Sequence, residues 1–68
     1  MDINIEKLLT PTEVAEILSV PENTLAAWRT RRQGPLFIRV GIHVRYRRVD
    51  IEAWMAYLVD QGHHWMAG

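Results

Sequence analysis

Pro21 limits what this chain can become more than any other residue. Its ring disfavours helical backbone at Val20, so a helix approaching from the N-terminal side has to stop there. Its fixed φ and missing N–H suit the first turn of a new helix. The chain is thereby cut into two short helices with a tight turn between them. Upstream, Leu9-Thr10-Pro11-Thr12-Glu13 carries a complete start signal. Thr10 is the N-cap, Pro11 takes the first helical position, and Glu13 closes a capping box with Thr10. Val14, Ile17 and Leu18 follow at helical spacing with Glu13 and Glu16 outward, which predicts a helix over residues 11–18. Downstream, Asn23 to roughly Arg31 continue the second helix. Leu25 and Trp28 share one face. At about 100° per residue the opposite face is Asn23, Ala26 and Thr30, with Ala27 at its edge.

Two short helices joined in this way are the unit that places a helix in the DNA major groove. An ordinary helical hairpin with a wet outer face has the same pattern, so charge has to be weighed beside it. The 68 residues sum to a net charge of zero, but the charges are segregated. Residues 1–28 hold five acids against Lys7 (net −4), and residues 49–68 hold Asp50, Glu52 and Asp60 (net −3). Between them, residues 29–48 hold seven arginines and no acid (net +7). A partner meets the local field rather than the sum, and this one fits an anion. The alternative is a solvated basic loop.

Gln33-Gly34-Pro35 ends the second helix, and two runs rich in strand formers follow. Leu36-Phe37-Ile38-Arg39-Val40 and Val44-Arg45-Tyr46-Arg47 flank Gly41-Ile42-His43, which predicts a hairpin. Matching apolar residues pairs Val40 with Val44 across a three-residue tip and Ile38 with Tyr46 on the same face. Arg39 then faces Arg45, a like-charge pair that destabilises a free hairpin unless an anion lies over it or the guanidinium groups splay into water. A last helix is expected from Val49-Asp50, where Asp50 and Glu52 suit the positive end of the helix dipole. Ile51, Trp54, Met55 and Leu58 form its apolar stripe, and Gly62 reads as its stop. Repeats, linkers and low-complexity segments are absent from the sequence. The expected organisation is a single domain over 1–68, with an N-terminal arm at 1–8 and a loose tail at 63–68. The expected fold class is mainly α with a small β-hairpin wing: a winged helix-turn-helix.

Other classes of function find little support. Hydrophobic residues make up 49% of the chain, so it is not a disordered tail. With no cysteine, disulfides and thiolate metal sites are excluded. Met1-Asp2-Ile3-Asn4 lacks the basic start of a signal peptide, and no run is apolar enough to span a bilayer. A soluble, cytoplasmic protein is expected, with no membrane partner and no small-molecule ligand. Trp28 and Trp54 fall on apolar faces and read as core; stacking on bases would need them exposed. The adjacent pair His63-His64 lacks partners for a metal site, and no cofactor is expected. Nucleophile–base sets and phosphate loops are missing too, so the chain is not expected to be an enzyme.

The combined pattern resembles a known family. Leu8-Leu9-Thr10-Pro11-x-Glu13-Val14-Ala15-Glu16 is similar to the opening of small MerR-like winged helix-turn-helix proteins, and Thr24-Leu25-x-x-Trp28-Arg29 to their second helix. Gly34-Pro35, Arg39-Val40-Gly41, His43-Val44-Arg45-Tyr46-Arg47-Arg48 and Asp50-Ile51-Glu52-Ala53-Trp54 resemble their wing and third helix. The likeness covers about residues 8–58 and is nearest to phage and prophage excisionases, the recombination directionality factors. It implies a protein that binds double-stranded attachment-site DNA in a bacterial host cell, often as several copies side by side. Such proteins bend the DNA and steer an integrase toward excision, and some also repress transcription. The shortness of the chain, with no effector domain or coiled coil, favours the accessory role over a small transcriptional regulator. A protein-interaction module with a basic face is the remaining alternative. Family members often carry Arg or Lys where this chain has Ala26 and Ala27, and Ser where it has Pro21. That departure shifts the expected balance from base readout toward phosphates, shape and the wing.

Roles follow residue by residue. Asn23, Thr24, Ala27 and Thr30 are expected on the groove-facing helix. Asn23 can pair with adenine through two hydrogen bonds, and Ala27 can touch a thymine methyl. Thr24 is equally well read as a buried cap or core hydroxyl. Arg29, Arg31 and Arg32 should hold phosphates, or else form a solvated helix end. Arg39, Gly41, His43 and Arg45 should lie along the adjacent minor groove, where arginine is favoured as the groove narrows. Gly41 is read either as a close approach to sugar or as a turn glycine. Arg47 and Arg48, at the entry of the third helix, should reach phosphate. Cooperative self-association is also expected, with the acidic N-terminal surface of one copy near the basic surface of the next. Ile3 and Ile5 could form a strand that pairs between copies.

Overall fold

The computed structural model describes residues 7–67, with side chains described for residues 7–61. Two short helices come first, α1 (Pro11–Leu18) and α2 (Glu22–Arg31), then strands β1 (Ile38–Val40) and β2 (His43–Arg45), then a long helix α3 (Arg48–Ala67). Three helices and a two-stranded antiparallel hairpin make a mainly helical molecule, consistent with a winged helix-turn-helix.

α1 begins where its local chemistry requires. The Glu13 N–H donates to Thr10 Oγ1 (3.1 Å), and the Thr10 N–H donates to Glu13 Oε1 (2.9 Å). Both halves of the capping box are therefore formed, and each satisfies a backbone donor that a helix start leaves open. Both short helices close in the same manner. Ser19 (φ 58°) and Arg32 (φ 57°) adopt left-handed backbone. The Val20 N–H reaches back to the Ala15 carbonyl (3.0 Å), and the Gln33 N–H to the Trp28 carbonyl (2.8 Å). This six-to-one closure satisfies the last carbonyls and reverses the chain without a glycine at the left-handed position.

The core is small. Val14, Ala15, Leu25, Tyr46 and Ile51 are buried, and Leu9, Leu18, Val20, Trp28, Phe37 and Val44 pack around them. Every element contributes at least one side chain to this cluster except β1, whose neighbour Phe37 supplies it instead. Trp28 of α2 meets Trp54 of α3 with ring centroids 5.2 Å apart and tilted by 54°, so both are half-buried packing residues. The apolar stripe of α3 is only partly covered. Ile51 is buried, whereas Met55 and Leu58 are exposed along a groove shared with Ile17 and Val20.

The hairpin register differs from the one expected. Ile38 pairs with Arg45, Arg39 with Val44, and Val40 with His43, which leaves a two-residue tip of Gly41 and Ile42. Gly41 has φ +64°, as the first position of a type II′ turn requires, and that turn suits the twist of a hairpin. The slip of one residue reverses the face of β1. It brings Phe37 opposite Tyr46 on the core side, ring centroids 6.3 Å apart, and turns Ile38 and Val40 outward. Burying two aromatic rings together outweighs the aliphatic match of Ile38 with Tyr46. Arg39 and Arg45 are therefore not opposite one another, and the inference of an anion drawn from their repulsion falls.

Two further differences concern the ends of elements. Leu9 forms a bridge with Tyr46, with both backbone hydrogen bonds made (2.8 and 2.9 Å), so the hairpin base is clasped to the segment entering α1. α3 does not stop at Gly62; its backbone continues to Ala67 through part of the segment expected to be a loose tail. Ile3 and Ile5 lie outside the described residues, as do the side chains of His63 and His64.

Candidate nucleic-acid interface

The outer surface of α2 follows from its inner one. Leu25 is buried against α1, which turns Asn23, Ala26 and Thr30 to solvent and leaves Thr24 and Ala27 half-buried at the margin. Ala26 therefore presents itself more fully than Ala27, the residue expected there. Thr24 stands between its two readings. The Thr30 hydroxyl donates to the Ala26 carbonyl (3.2 Å), so its oxygen keeps only acceptor capacity toward a partner. Thr12 of α1 donates to Glu22 Oε2 at the start of α2 (3.0 Å) and joins the two helices on that side.

The arginines divide into those the protein engages and those it leaves to solvent. Arg29 is half-buried: its Nη1 donates to the Tyr46 hydroxyl (2.8 Å), and its guanidinium lies 5.9 Å from the centre of the Phe37 ring. It ties the end of α2 to the hairpin base. The Arg45 Nη1 donates to the Val44 carbonyl (2.7 Å), which lays the side chain along β2. Arg47 donates through Nε and a terminal nitrogen to both oxygens of Asp50 (2.7 and 3.0 Å), and this pairing holds its proton more firmly than usual. The side chains of Arg31, Arg32, Arg39 and Arg48 are exposed and make no hydrogen bond or ion pair with another described residue.

The hairpin carries its polar residues unevenly. On the face turned from the core stand Ile38, Val40, His43 and Arg45; on the other, Arg39 extends beyond Val44 into solvent. Gly41 has no neighbour within 4 Å of where a Cβ would sit, so its positive φ, rather than crowding inside the protein, selects glycine. No aspartate or glutamate occurs between Glu22 and Asp50, so the α2 surface and the hairpin share one acid-free stretch of chain. The structure joins these two surfaces through Arg29 and Tyr46. Nothing in the sequence marks Tyr46 for that part: its place in an alternating run reads simply as strand. Ile42, at the tip, is likewise absent from the expected set, although either register places it in the turn.

No helix among the described residues is long and apolar enough to cross a membrane. The family model described as a helix-turn-helix domain matches residues 8–56, which span α1, α2, the hairpin and the first half of α3. That match points to binding of double-stranded DNA. Neither a curated protein nor a solved structure gives a significant match.

Proposed function

The chain belongs to the helix-turn-helix domain family, and from that premise we propose that it is an excisionase-like architectural protein. It binds attachment-site duplex DNA in a bacterial host cell, bends it and directs an integrase toward excision, without catalysing a reaction itself. The observation that carries the reading is the hydrogen bond from Arg29 to the Tyr46 hydroxyl, which ties the end of α2 to the base of a hairpin bearing Arg39 and Arg45, within a stretch of chain, residues 23–49, that holds no acid. The residue pattern over about 8–58, with its likeness to the excisionases, supports the recombination role over a purely regulatory one.

α2 enters the major groove with Asn23, Ala26, Ala27 and Thr30 toward the bases, and Asn23 is the only one of these with a two-point adenine contact. Base selectivity is accordingly modest, and Arg31, Arg32, Arg39, Arg45 and Arg48 carry affinity through phosphates. Copies bind side by side, and contacts between them make binding cooperative.

The test begins with a duplex enriched by the full chain from a random-sequence library. With about four to six phosphate contacts, log affinity should fall against log salt with a slope near −4 to −5. Arg45→Ala should weaken binding to all sequences, while Asn23→Ala should change which sequences are preferred. Failure to enrich any duplex, or a slope near zero, would remove the reading. A recombination assay with integrase and attachment DNA, run with and without the chain, tests the finer role. An unchanged balance of integration and excision would leave transcriptional regulation in its place.

A further inference from the structure

Ile42 is the most exposed large hydrophobic side chain among the described residues, at 87% accessible, and it occupies the outermost turn of the hairpin. Neither the turn nor the protein explains it. Two-residue turns favour Gly, Asn, Asp and Ser, and a β-branched aliphatic residue brings no hydrogen bond to the loop. It packs on nothing, since it lies beyond Val40 and His43, which are themselves exposed. Its apolar surface stays in water in the folded chain, so the gain from burying it is open only to a partner.

The surroundings specify that partner. Ile42 stands between Arg39 on β1 and His43 and Arg45 on β2, with no acid anywhere on the hairpin. An apolar tip on an acid-free hairpin with an arginine on each strand matches a polyanion with an apolar interior reached through a slot. The minor groove is such a slot, about 6 Å wide, lined by phosphates and floored by stacked base pairs. Aliphatic side chains inserted there between base pairs unstack the step and kink the duplex. Gly41 leaves the tip bare on one side, so the turn is slim enough to lead.

We propose that Ile42 is a DNA wedge. While α2 lies in the major groove, the hairpin enters the adjacent minor groove, its cations settle on the phosphates, and the Ile42 side chain inserts between two base pairs. A pyrimidine–purine step, which unstacks most easily, is the preferred site. The wedge rests on the DNA-binding reading above and adds the device that fixes the bend.

The experiment uses the full chain and the duplex it enriches from a random library, labelled at both ends for energy transfer and probed with permanganate for unstacked thymines. The wild type should bring the ends together and create one hyper-reactive step. Ile42→Ala should abolish both signals while affinity falls less than about tenfold, because the phosphate contacts that supply most of the binding remain. Ile42→Phe should keep both signals, since another bulky apolar side chain can wedge a step. The exposure of Ile42 means these variants should fold as the wild type does, which circular dichroism verifies. If Ile42→Ala bends and unstacks the duplex as the wild type does, the wedge is wrong and DNA binding stands. If Ile42→Ala instead abolishes self-association of the free protein or attachment to anionic phosphatidylglycerol vesicles, with bending intact, the tip serves that other contact and the wedge is overturned. If no duplex is enriched at all, the DNA-binding reading itself fails.

Discussion

Gly34 lies so close to Trp28 that a Cβ on the glycine would sit 2.7 Å from Cε3 of the indole. The same glycine has φ +78°, so its position is fixed twice, by backbone conformation and by the ring beside it. Trp28 in turn meets Trp54, which makes the turn after α2 part of the α2–α3 contact. Gly34→Ala should destabilise the fold by about 3 kcal/mol, combining left-handed strain with overpacking. Urea unfolding should show a lower midpoint at an unchanged slope; an unaltered midpoint would mean that neither the left-handed strain nor the crowding against the indole is felt.

Ser19 and Arg32 hold left-handed backbone without being glycine. Ser19→Gly should relieve that strain and raise stability by about 0.5 kcal/mol after the added freedom of the unfolded chain is subtracted. Arg32→Gly should stabilise similarly and weaken DNA binding at the same time, because it removes a cation. Thermal unfolding and a salt titration on the two variants separate the effects.

The capping box makes stability depend on pH. Glu13 is held below its ordinary value of 4.5, chiefly by the hydrogen bond from the Thr10 backbone N–H and then by the Lys7 ammonium 3.2 Å away. With the folded value the lower one, the charged carboxylate favours the folded state at every pH above 4.5, and that preference is lost as pH falls through the lowered value. Glu13→Gln should flatten this part of the acid limb in a pH series of unfolding curves. Thr10→Ala should cost about 1 kcal/mol at neutral pH through loss of the cap.

Arg29 should behave unlike its neighbours. Tyr46→Phe removes the hydroxyl that accepts from Arg29 and should cost about 1 kcal/mol. Arg29→Ala should lower stability and DNA affinity together. Arg31→Ala, at an exposed site, should leave stability within about 0.5 kcal/mol while reducing the salt slope by about 1. Equal stability of the two alanine variants would show that the contact with Tyr46 is incidental.

What could be read before the structure depended on how local the determining physics is. α1 was legible to the residue, because Thr10, Pro11, Glu13 and Pro21 act within a turn of chain. The exposed face of α2, Asn23, Ala26 and Thr30 with Ala27 at its edge, was legible from Leu25 and Trp28. The hairpin register was not. Pairing Ile38 with Tyr46 looked right within the hairpin, but Tyr46 is drawn to Leu9, Phe37 and Arg29, all outside the two strands. The site suffers from the same blindness: Arg47 looks free in the sequence, yet its capture by Asp50 needs the first turn of α3 in place. The end of α3 was misread because one glycine is a weak signal against a helix already under way.

The two backbone hydrogen bonds between Leu9 and Tyr46 have a mechanical consequence. A hairpin hinged only at its connections would swing, and a push at its tip would be absorbed there. With its base stitched to the chain that leads into α1, the hairpin should act as a stiff lever whose fulcrum is the core itself. Torque applied at the far end should then be delivered to the helices instead of being spent in a flexing loop. The amides of Leu9 and Tyr46 should then exchange as slowly as those of α1.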